Sequence, residues 1–322
     1  MISWLFLLAG LAALYFGAQM LIAGGVRLAL RLGLTPLVIG LTIIAYGTSS
    51  PEMVVSLRAS LSGNGAIAIG NIVGSNICNI ALILGLCALV KPIEASRQII
   101  RREIPVMIGV SVLAMVFLMD GWLARWEGAV LFAALIVYTV STVRSAGKQP
   151  EPDADFADAL PVGPESPGAK SLPAAIGLTL GGLAVLVLGS EAFVRGAVAL
   201  ASGWGVSQVV IGLTVVAVGT SMPELATSLV AAIKGQSDVA LGNVVGSNIF
   251  NVIGILGLSA MVAPISAPEI SWIDLGLMLL LAVGLLPLAR SGGRISRLEG
   301  AVLLAIYAGY TGWLVSAQSG GV

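Results

Sequence analysis

Two glutamates lie inside apolar segments that are long enough to cross a membrane. Glu52 ends the hexapeptide GTSSPE, which begins at Gly47, and Glu224 ends GTSMPE, which begins at Gly219. No basic residue stands within four residues of either glutamate. An ionised side chain at the bilayer centre costs at least about 2.5–3.5 kcal/mol, and such residues mark ion or proton pathways. The two glutamates therefore predict an ion site.

Hydroxyl groups accompany both glutamates at helical spacing. On a helix these side chains fall on one side, close to one another. The two sets are Thr48, Ser49, Glu52 and Ser56, and Thr220, Ser221, Glu224 and Ser228. Each segment therefore presents hydroxyls together with a carboxylate. A serine inside a membrane helix also commonly bonds to its own backbone, which is an equally good interpretation of Ser56 and Ser228.

The apolar segment after each hexapeptide carries a second polar series, spaced by four residues. The series are Asn71, Ser75 and Asn79 in one case, and Asn243, Ser247 and Asn251 in the other. The interspersed Gly70 and Gly74 allow a neighbouring helix to approach closely, and asparagines in membrane helices often bond helices together. That bridging role is the favoured interpretation of Asn71 and Asn243.

All the candidate ligands are oxygen atoms of carboxylates, amides, hydroxyls and backbone carbonyls. The chain has no histidine, and its two cysteines, Cys78 and Cys87, are predicted to be buried thiols without metal partners. All-oxygen sites suit hard cations such as calcium, and sodium has nearly the same radius. The donor set therefore indicates a hard cation such as calcium or sodium, and we expect no cofactor.

A broken helix is needed to bring these groups together. Pro51 cannot donate a hydrogen bond to the carbonyl of Gly47, and Gly47 itself loosens the helix, so the segment should break there. Pro223 and Gly219 repeat the arrangement. A break inside a membrane is tolerated where it lines a cavity or is buried in protein, and it frees backbone carbonyls to act as ligands.

Composition indicates a membrane protein with many spans. The chain is 57% hydrophobic and 10% charged, with a mean hydropathy of +1.02. The predicted fold is all-α, and apolar runs of membrane length predict ten transmembrane helices. They lie at 3–26, 34–60, 66–90, 103–119, 126–143, 172–199, 206–232, 238–262, 272–289 and 298–317. The first run lacks a basic leader region and is predicted to be a transmembrane helix rather than a signal peptide.

The sequence contains the same five-helix unit twice. The stretch from Ile39 to Ser49 (IGLTIIAYGTS) matches the stretch from Ile211 to Ser221 (IGLTVVAVGTS), with an offset of 172 residues, and the offset also relates the GSNI motifs at Gly74 and Gly246. Because five is odd, the second unit must enter the membrane from the opposite side, as in the inverted repeats of secondary transporters. We predict a first repeat at 1–143, a linker at 144–171 and an inverted second repeat at 172–322.

The basic residues predict the topology. When loops are assigned alternately, Arg58, Arg125 and Arg195 fall on one side and the other thirteen lysines and arginines fall on the opposite side. The positive-inside rule then places the linker in the cytoplasm and both termini outside the cell inner (plasma) membrane. The linker is rich in Pro, Asp and Glu and is predicted to be a flexible acidic tether. A calcium sensor built on Asp153, Asp155 and Asp158 is the alternative, although it lacks the glycine and terminal glutamate of a known calcium loop.

These motifs match a known family. GTSSPE followed by GNIVGSNICN, and GTSMPE followed by GNVVGSNIFN, resemble the paired alpha-repeats of the cation/calcium exchanger superfamily, in particular its sodium/calcium exchangers and their prokaryotic relatives. The resemblance covers essentially the whole chain. It implies ten helices in inverted halves, with four ion sites in a diamond around the broken second and seventh helices.

The resemblance also implies roles for individual residues. Glu52 and Glu224 would be the shared calcium carboxylates, and Asn79 and Asn251 would occupy the remaining central positions. The implied sodium ligands are the side chains of Thr48, Ser49, Thr220, Ser221, Ser75 and Ser247 and the carbonyls of Ala45 and Ala217. Many family members carry Asp where this chain has Asn251, so the central site here would hold two negative charges rather than three.

The expected mechanism is sodium/calcium antiport by alternating access. Two carboxylates neutralise one calcium ion, whereas sodium ions at the flanking positions compete for the same glutamates, so the two ion sets exclude each other. The resemblance implies that the first and sixth helices, which repeat Gly17 as Gly189, form a sliding gate. The expected partners are calcium, sodium and the lipid bilayer, without nucleic acid or an obligatory protein partner.

Two alternatives stay open. Proton/calcium antiport could use the buried glutamates as proton carriers, although proton-coupled members of the family often lack the GTS hydroxyls. A cation channel could use the same oxygen atoms, but two broken, inverted helices favour a carrier. An enzyme is not expected, because the chain has no histidine, no paired aspartates and no activated nucleophile.

Overall fold

The computed structural model describes residues 2–146, 171–204, 217–266 and 271–319, and most of these residues are helical. We number their helices α1 to α12, so that each helix of the first predicted repeat corresponds to the helix six numbers higher. The helices are α1 Ile2–Leu32, α2 Pro36–Thr48, α3 Ser50–Leu61, α4 Gly65–Val90, α5 Ile104–Phe117, α6 Arg125–Ala146, α7 Leu172–Gly203, α8 Ala217–Thr220, α9 Met222–Ile233, α10 Ser237–Val262, α11 Trp272–Arg290 and α12 Arg297–Ser319.

The described residues contain up to eight candidate membrane spans. Within the described ranges, seven helices are long and apolar enough to cross a membrane, and the bent pair α2 and α3 makes an eighth. A π-helical turn at Ile99–Glu103 leads into α5, which corresponds to the fourth predicted span. The predicted count of ten stays a prediction. The repeat match at 211–216 and linker residues 147–170 lie outside the described residues.

The predicted helix breaks are present in both repeats. Helices α2 and α3 meet at Ser49 with a bend of 49°. The backbone of Ser49 (φ −81°, ψ 9°) departs from the α-helical minimum, and Ser221 between α8 and α9 has nearly the same angles (φ −87°, ψ 9°). Glu52 and Glu224 therefore lie in the first turns of helices α3 and α9. This position suits a carboxylate, because the N-terminal end of a helix carries partial positive charge.

Helices α4 and α10 form the centre of the molecule and are the most buried of its long helices. Each contains a π-helical turn, and the two turns, Cys78–Leu84 and Phe250–Leu256, lie at equivalent positions. Single π turns inside α-helices are rare and often occur at functional sites. Asn79 and Asn251 lie in these turns.

Helices α1 and α7 pack against each other in antiparallel orientation through glycines spaced by seven residues. A methyl group added at Gly10 would lie 2.5 Å from the backbone nitrogen of Phe193, and one added at Gly182 would lie 2.5 Å from that of Leu21. Gly17 and the other seam glycines are similarly close to the opposite helix, as small residues in membrane helices permit. The two backbones are therefore in direct contact.

Two short antiparallel ribbons join the repeats outside this helix pair. Strand β1 (Ile93–Glu94) pairs with β4 (Arg294–Ile295), and β2 (Trp122–Leu123) pairs with β3 (Ile265–Ser266). By the offset of 172, β1 corresponds to β3 and β2 to β4. Each ribbon thus connects a loop of one repeat to a different loop of the other, as a two-fold relation between the repeats requires.

Candidate ion-binding site

The two glutamates lie at the helix breaks and are held by hydroxyls of the opposite repeat. Ser49 Oγ donates to Glu224 Oε1 at 2.7 Å, and Ser221 Oγ donates to Glu52 Oε1 at 2.9 Å. Both glutamates are 1% exposed. Because each bond links one repeat to the other, both repeats contribute to a single site.

One oxygen of each carboxylate lacks a hydrogen bond. Glu52 Oε2 and Glu224 Oε2 are buried, and neither has a partner among the described residues. The ion pairs found in the same ranges, Arg102 with Glu103 and Arg195 with Glu191, do not involve them. Buried polar atoms are normally satisfied, and an uncompensated buried charge is costly. Two such carboxylates side by side have the electrostatics of a cation site.

Two buried amide oxygens also lack a hydrogen-bond partner. Asn79 and Asn251 are each 1% exposed, and the Oδ1 atom of each is buried without a partner in the described part of the chain. Ser75 is buried one helical turn before Asn79. The glutamates and these asparagines together supply four buried oxygen atoms that accept no hydrogen bond.

The flanking groups predicted as ligands gather around the carbonyl of Ala45. Thr48 Oγ1 lies 3.3 Å from this carbonyl oxygen, and Ser247 Oγ of the other repeat reaches it at 3.5 Å. Thr48 Oγ1 also donates to Asn243 Oδ1 at 3.3 Å. Ala217, which holds the equivalent position in the second repeat, is the first residue of α8.

Asn71 and Asn243 connect neighbouring helices, as predicted. Asn71 Nδ2 donates to Ser56 Oγ at 2.9 Å and to the carbonyl of Glu52 at 3.2 Å. Asn243 Nδ2 makes the equivalent bonds to Ser228 Oγ (2.9 Å) and the Glu224 carbonyl (3.4 Å). Ser56 itself donates to the carbonyl of Ala68 on α4. The alternative that Ser56 bonds only to its own helix is therefore wrong, and both serines lie in the contact between helices.

Two further asparagines were not assigned a role from the sequence. Asn76 accepts a hydrogen bond from Asn251 Nδ2 at 3.0 Å, and both side-chain polar atoms of Asn248 are buried without a partner among the described residues. Asn76 and Asn248 are 2% and 1% exposed. The signal available in the sequence was their place in the duplicated GSNI motif.

A cavity of about 540 Å³ lies beside the site. Pro51, Val54, Ser190 and Thr220 are among its lining residues, and the Thr220 side chain is close enough to Glu52 to interact with it. Glu191 and Arg195 form an ion pair that also lines the cavity. Ser190 Oγ donates to the carbonyl of Gly219 at 2.6 Å, which ties α7 to the broken helix. The cavity therefore borders the two helix breaks, although neither Glu52 nor Glu224 lines it.

The site does not resemble a transition-metal centre. Within the described ranges, no group of three or more His, Cys, Asp or Glu side chains could hold a metal ion. Cys78 and Cys87 are buried and unpaired, as predicted. The donors at the site are carboxylate, amide, hydroxyl and carbonyl oxygens, which suit calcium and sodium.

Sequence comparison gives a match over most of the chain. The family described as sodium/calcium exchanger protein matches twice, at residues 2–144 and 174–316. The inner membrane protein YrbG of Escherichia coli is 38% identical over 279 residues, which cover 86% of this chain and 85% of that protein. The sodium/calcium exchanger MaX1 of Methanosarcina acetivorans is 33% identical over 340 residues, covering 96% and 97% of the two chains.

A solved structure has the same fold. It is that of the sodium-calcium exchanger NCX_Mj soaked with 10 mM Na⁺ and 10 mM Sr²⁺, which superimposes with a TM-score of 0.80 at 33% sequence identity. The match covers 95% of this chain and 96% of that one. The double family match and this likeness extend over both halves of the chain.

Proposed function

Because the chain belongs to the sodium/calcium exchanger family of membrane transporters, we propose that it exchanges sodium for calcium across a cell membrane by alternating access. The observation that carries this proposal is the set of four buried oxygen atoms without partners, on Glu52, Glu224, Asn79 and Asn251. They come from both repeats and carry two negative charges. One calcium ion matches them in charge and in ligand type.

Sodium binds in this proposal at positions that flank the calcium site. The side chains of Thr48, Ser49, Thr220, Ser221, Ser75 and Ser247 and the carbonyls of Ala45 and Ala217 are the proposed ligands. Ser49 and Ser221 already contact Glu224 and Glu52, so a sodium ion bound to these hydroxyls would also be coordinated by the same carboxylates. The ion sets therefore exclude each other, and this exclusion produces exchange.

The moving part in this proposal is the pair α1 and α7. Their glycine seam holds the two backbones together, whereas the ribbons β1–β4 and β2–β3 tie the loops around the remaining helices. Packed helices that slide against a fixed group are a common form of domain motion. Sliding of the pair would close the cavity at Val54 and Thr220 and open the opposite face.

The remaining parts of the proposal concern placement in the membrane. The two repeats at 1–143 and 172–322 are inverted, with the linker at 144–171 in the cytoplasm and both termini outside. The membrane is the inner or plasma membrane of the cell. Transport requires the two ions and the bilayer.

Calcium uptake into proteoliposomes tests the coupling ion. Vesicles loaded with sodium and diluted into sodium-free medium should take up calcium, while vesicles with only an outward proton gradient should not. The hydroxyls of Ser49 and Ser221 at the carboxylates favour sodium.

Proton/calcium antiport is the second candidate, because two buried carboxylates without a basic partner can also carry protons. Uptake driven by the pH gradient alone would establish this candidate in place of sodium coupling. Calcium flux without any counter-ion gradient would instead indicate a channel.

A further inference from the structure

A chain of hydrogen bonds through three buried asparagines links the central helices α4 and α10. Asn251 Nδ2 donates to Asn76 Oδ1 at 3.0 Å, and Asn76 Nδ2 lies 3.4 Å from the backbone carbonyl of Asn248. Asn76 Nδ2 also lies 3.7 Å from Met278 Sδ. Asn76 and Asn251 are 2% and 1% exposed.

The donors and acceptors in this chain permit one orientation of each amide. A backbone carbonyl and a thioether can only accept, so the nitrogen of Asn76 must face Asn248 and Met278. The oxygen of Asn76 then faces Asn251 and can only accept. Asn251 must therefore present its nitrogen to Asn76, which leaves Asn251 Oδ1 pointing away and without a partner.

We propose that Asn76 is a positioning residue that makes Asn251 present an oxygen to the ion site and that favours a neutral amide over a carboxylate at position 251. The proposal rests on the proposed function, since it takes Asn251 to be an ion ligand. An amide that turned over would direct its NH2 group, a donor with partial positive charge, toward the cation. Asn76 thus controls the affinity of the site without contacting the ion.

The same geometry acts against an ionised aspartate at position 251. A carboxylate there would place an acceptor about 3.0 Å from Asn76 Oδ1, which is also an acceptor, with no proton between them. Asn76→Ser would relieve this conflict, because a hydroxyl can donate to a carboxylate or accept from an amide. The charge of the site is therefore set partly by residue 76.

The equivalent residue in the other repeat does not act in this way. Asn248 corresponds to Asn76, and Asn79 corresponds to Asn251. Both side-chain polar atoms of Asn248 and the oxygen of Asn79 lack partners among the described residues. The orienting bond is thus present on one side of the site, and Asn76 is the residue to test.

The first test is a double-mutant cycle on the apparent calcium affinity for sodium-driven uptake. Asn76→Leu removes the acceptor for Asn251 and should raise the KM for calcium about tenfold, the value of one hydrogen bond, with a smaller change in maximal rate. In the Asn251→Leu background the same change should alter KM less than about twofold, because residues that act through one another are not additive. Equal effects in both backgrounds would show that Asn76 acts independently, and would overturn the proposal.

The second test uses the conflict between Asn76 Oδ1 and a carboxylate at position 251. It needs no leucine variant, so it remains decisive if Asn76→Leu folds poorly. Asn251→Asp should impair uptake alone, and Asn76→Ser in the same molecule should restore it at least partly, while Asn76→Ser alone should raise the KM for calcium less than Asn76→Leu does, because its hydroxyl can still accept from Asn251. Full activity of Asn251→Asp alone, or no rescue, contradicts the proposal. If Asn251→Leu leaves KM unchanged while Glu52→Gln abolishes uptake, the error lies in assigning Asn251 as a ligand. If the unmodified protein showed no sodium-driven exchange, the proposed function itself would be wrong.

Discussion

At the scale of single residues, the partners of the Glu52 and Glu224 carboxylates among the described residues are hydroxyls and not cations. Ser49 and Ser221 each occupy one oxygen of a glutamate from the other repeat and leave the second oxygen free. A lysine or arginine in their place would neutralise the carboxylate and compete with the transported ion. Hydroxyls orient the carboxylates while keeping both charges available for a divalent ion.

The first prediction removes one of these charges. Glu52→Gln or Glu224→Gln leaves one negative charge against a divalent cation in a buried site, where charge pairing is far stronger than in water. Each variant should lose sodium-driven calcium uptake in proteoliposomes while eluting as a folded protein in size-exclusion chromatography. Glu103→Gln is the matched control, since Glu103 is equally buried but is bonded to Tyr138 and Gln98 outside the site. Uptake that survives in either site variant would contradict the assignment.

The residue types and their spacing named side chains that the structure brings together, such as Ser49 with Glu224 and Ser221 with Glu52, whereas the orientation of the amides could not be predicted. The duplicated hexapeptides identify Glu52 and Glu224, and the spacing of four identifies Asn79 and Asn251. The role of Asn76 depends on which acceptors face its nitrogen, one of them a backbone carbonyl of the other repeat. A pattern along one chain segment carries no information on such a contact between repeats.

At the scale of helices, the seam between α1 and α7 depends on glycines at every second turn. Gly182 on α7 faces the backbone of Leu21, while Gly177, five residues earlier on the same helix, has open space around it. Close contact along the seam would keep the two helices together in the proposed sliding motion.

The second prediction compares these two glycines. Gly182→Ala should destabilise the protein by about 1–3 kcal/mol, because the added methyl group meets backbone atoms that cannot move aside. Gly177→Ala should be neutral or stabilising by up to about 1 kcal/mol, because alanine favours a helix. Thermal unfolding in detergent, followed by the fluorescence of a thiol probe or by aggregation, measures both. Equal melting temperatures for the two variants would show that the seam is not tightly packed.

A side-chain contact joins helix α1 to the residue that follows helix α9. Lys234 Nζ, just beyond α9, donates to Gln19 Oε1 of α1 at 3.1 Å, and burial lowers the pKa of Lys234. The positions equivalent to Gln19 and Lys234 are Glu191 and Ser62. Glu191 lines the cavity and pairs with Arg195 of its own helix. Under the proposed inversion of the repeats, the contact and the cavity lie on opposite faces of the molecule.

The third prediction concerns this contact. Gln19→Leu removes it and should shift the protein toward the conformation in which the cavity is closed, by about two- to fivefold, as expected for a partly exposed bond to a charged group. Gln19→Glu should strengthen the contact and shift the protein the other way. The measurement is the rate at which a polar thiol reagent modifies Val54→Cys in detergent, since Val54 lines the cavity. Opposite effects of the two Gln19 variants are expected, and equal rates would show that the contact has no influence.

At the scale of the whole molecule, the sequence predicted the repeats and most helix positions, and the inter-repeat contacts came from the structure. The predicted second span corresponds to α2 and α3, with its break at Ser49. The ribbons β1–β4 and β2–β3 could not be predicted, because each uses two residues per strand and pairs loops about 140 to 200 residues apart. Helix α1 also extends to Leu32, beyond its predicted end, because apolar periodicity does not mark where the membrane stops.

The charge of the whole transport cycle follows from the composition of the site. In the proposed site, ionised Glu52 and Glu224 contribute two negative charges, and Asn79 and Asn251 contribute none. One bound calcium ion makes the site neutral, whereas three sodium ions, the number that the family resemblance implies, leave it with one positive charge. Exchange of one calcium ion for three sodium ions moves one net charge per cycle, while exchange for two protons moves none.

The fourth prediction is therefore a dependence on membrane voltage. Calcium uptake into sodium-loaded proteoliposomes carries net positive charge outward, so a potential that is positive inside should accelerate it and a potential that is negative inside should slow it. Potassium gradients with valinomycin set the potential, and Glu52→Gln vesicles give the background flux. Sodium-driven uptake that is insensitive to the potential would contradict an exchange of three sodium ions for one calcium ion. The cycle would then be electroneutral, either because two sodium ions balance the two carboxylates as one calcium ion does, or because a further buried group changes its charge during the cycle.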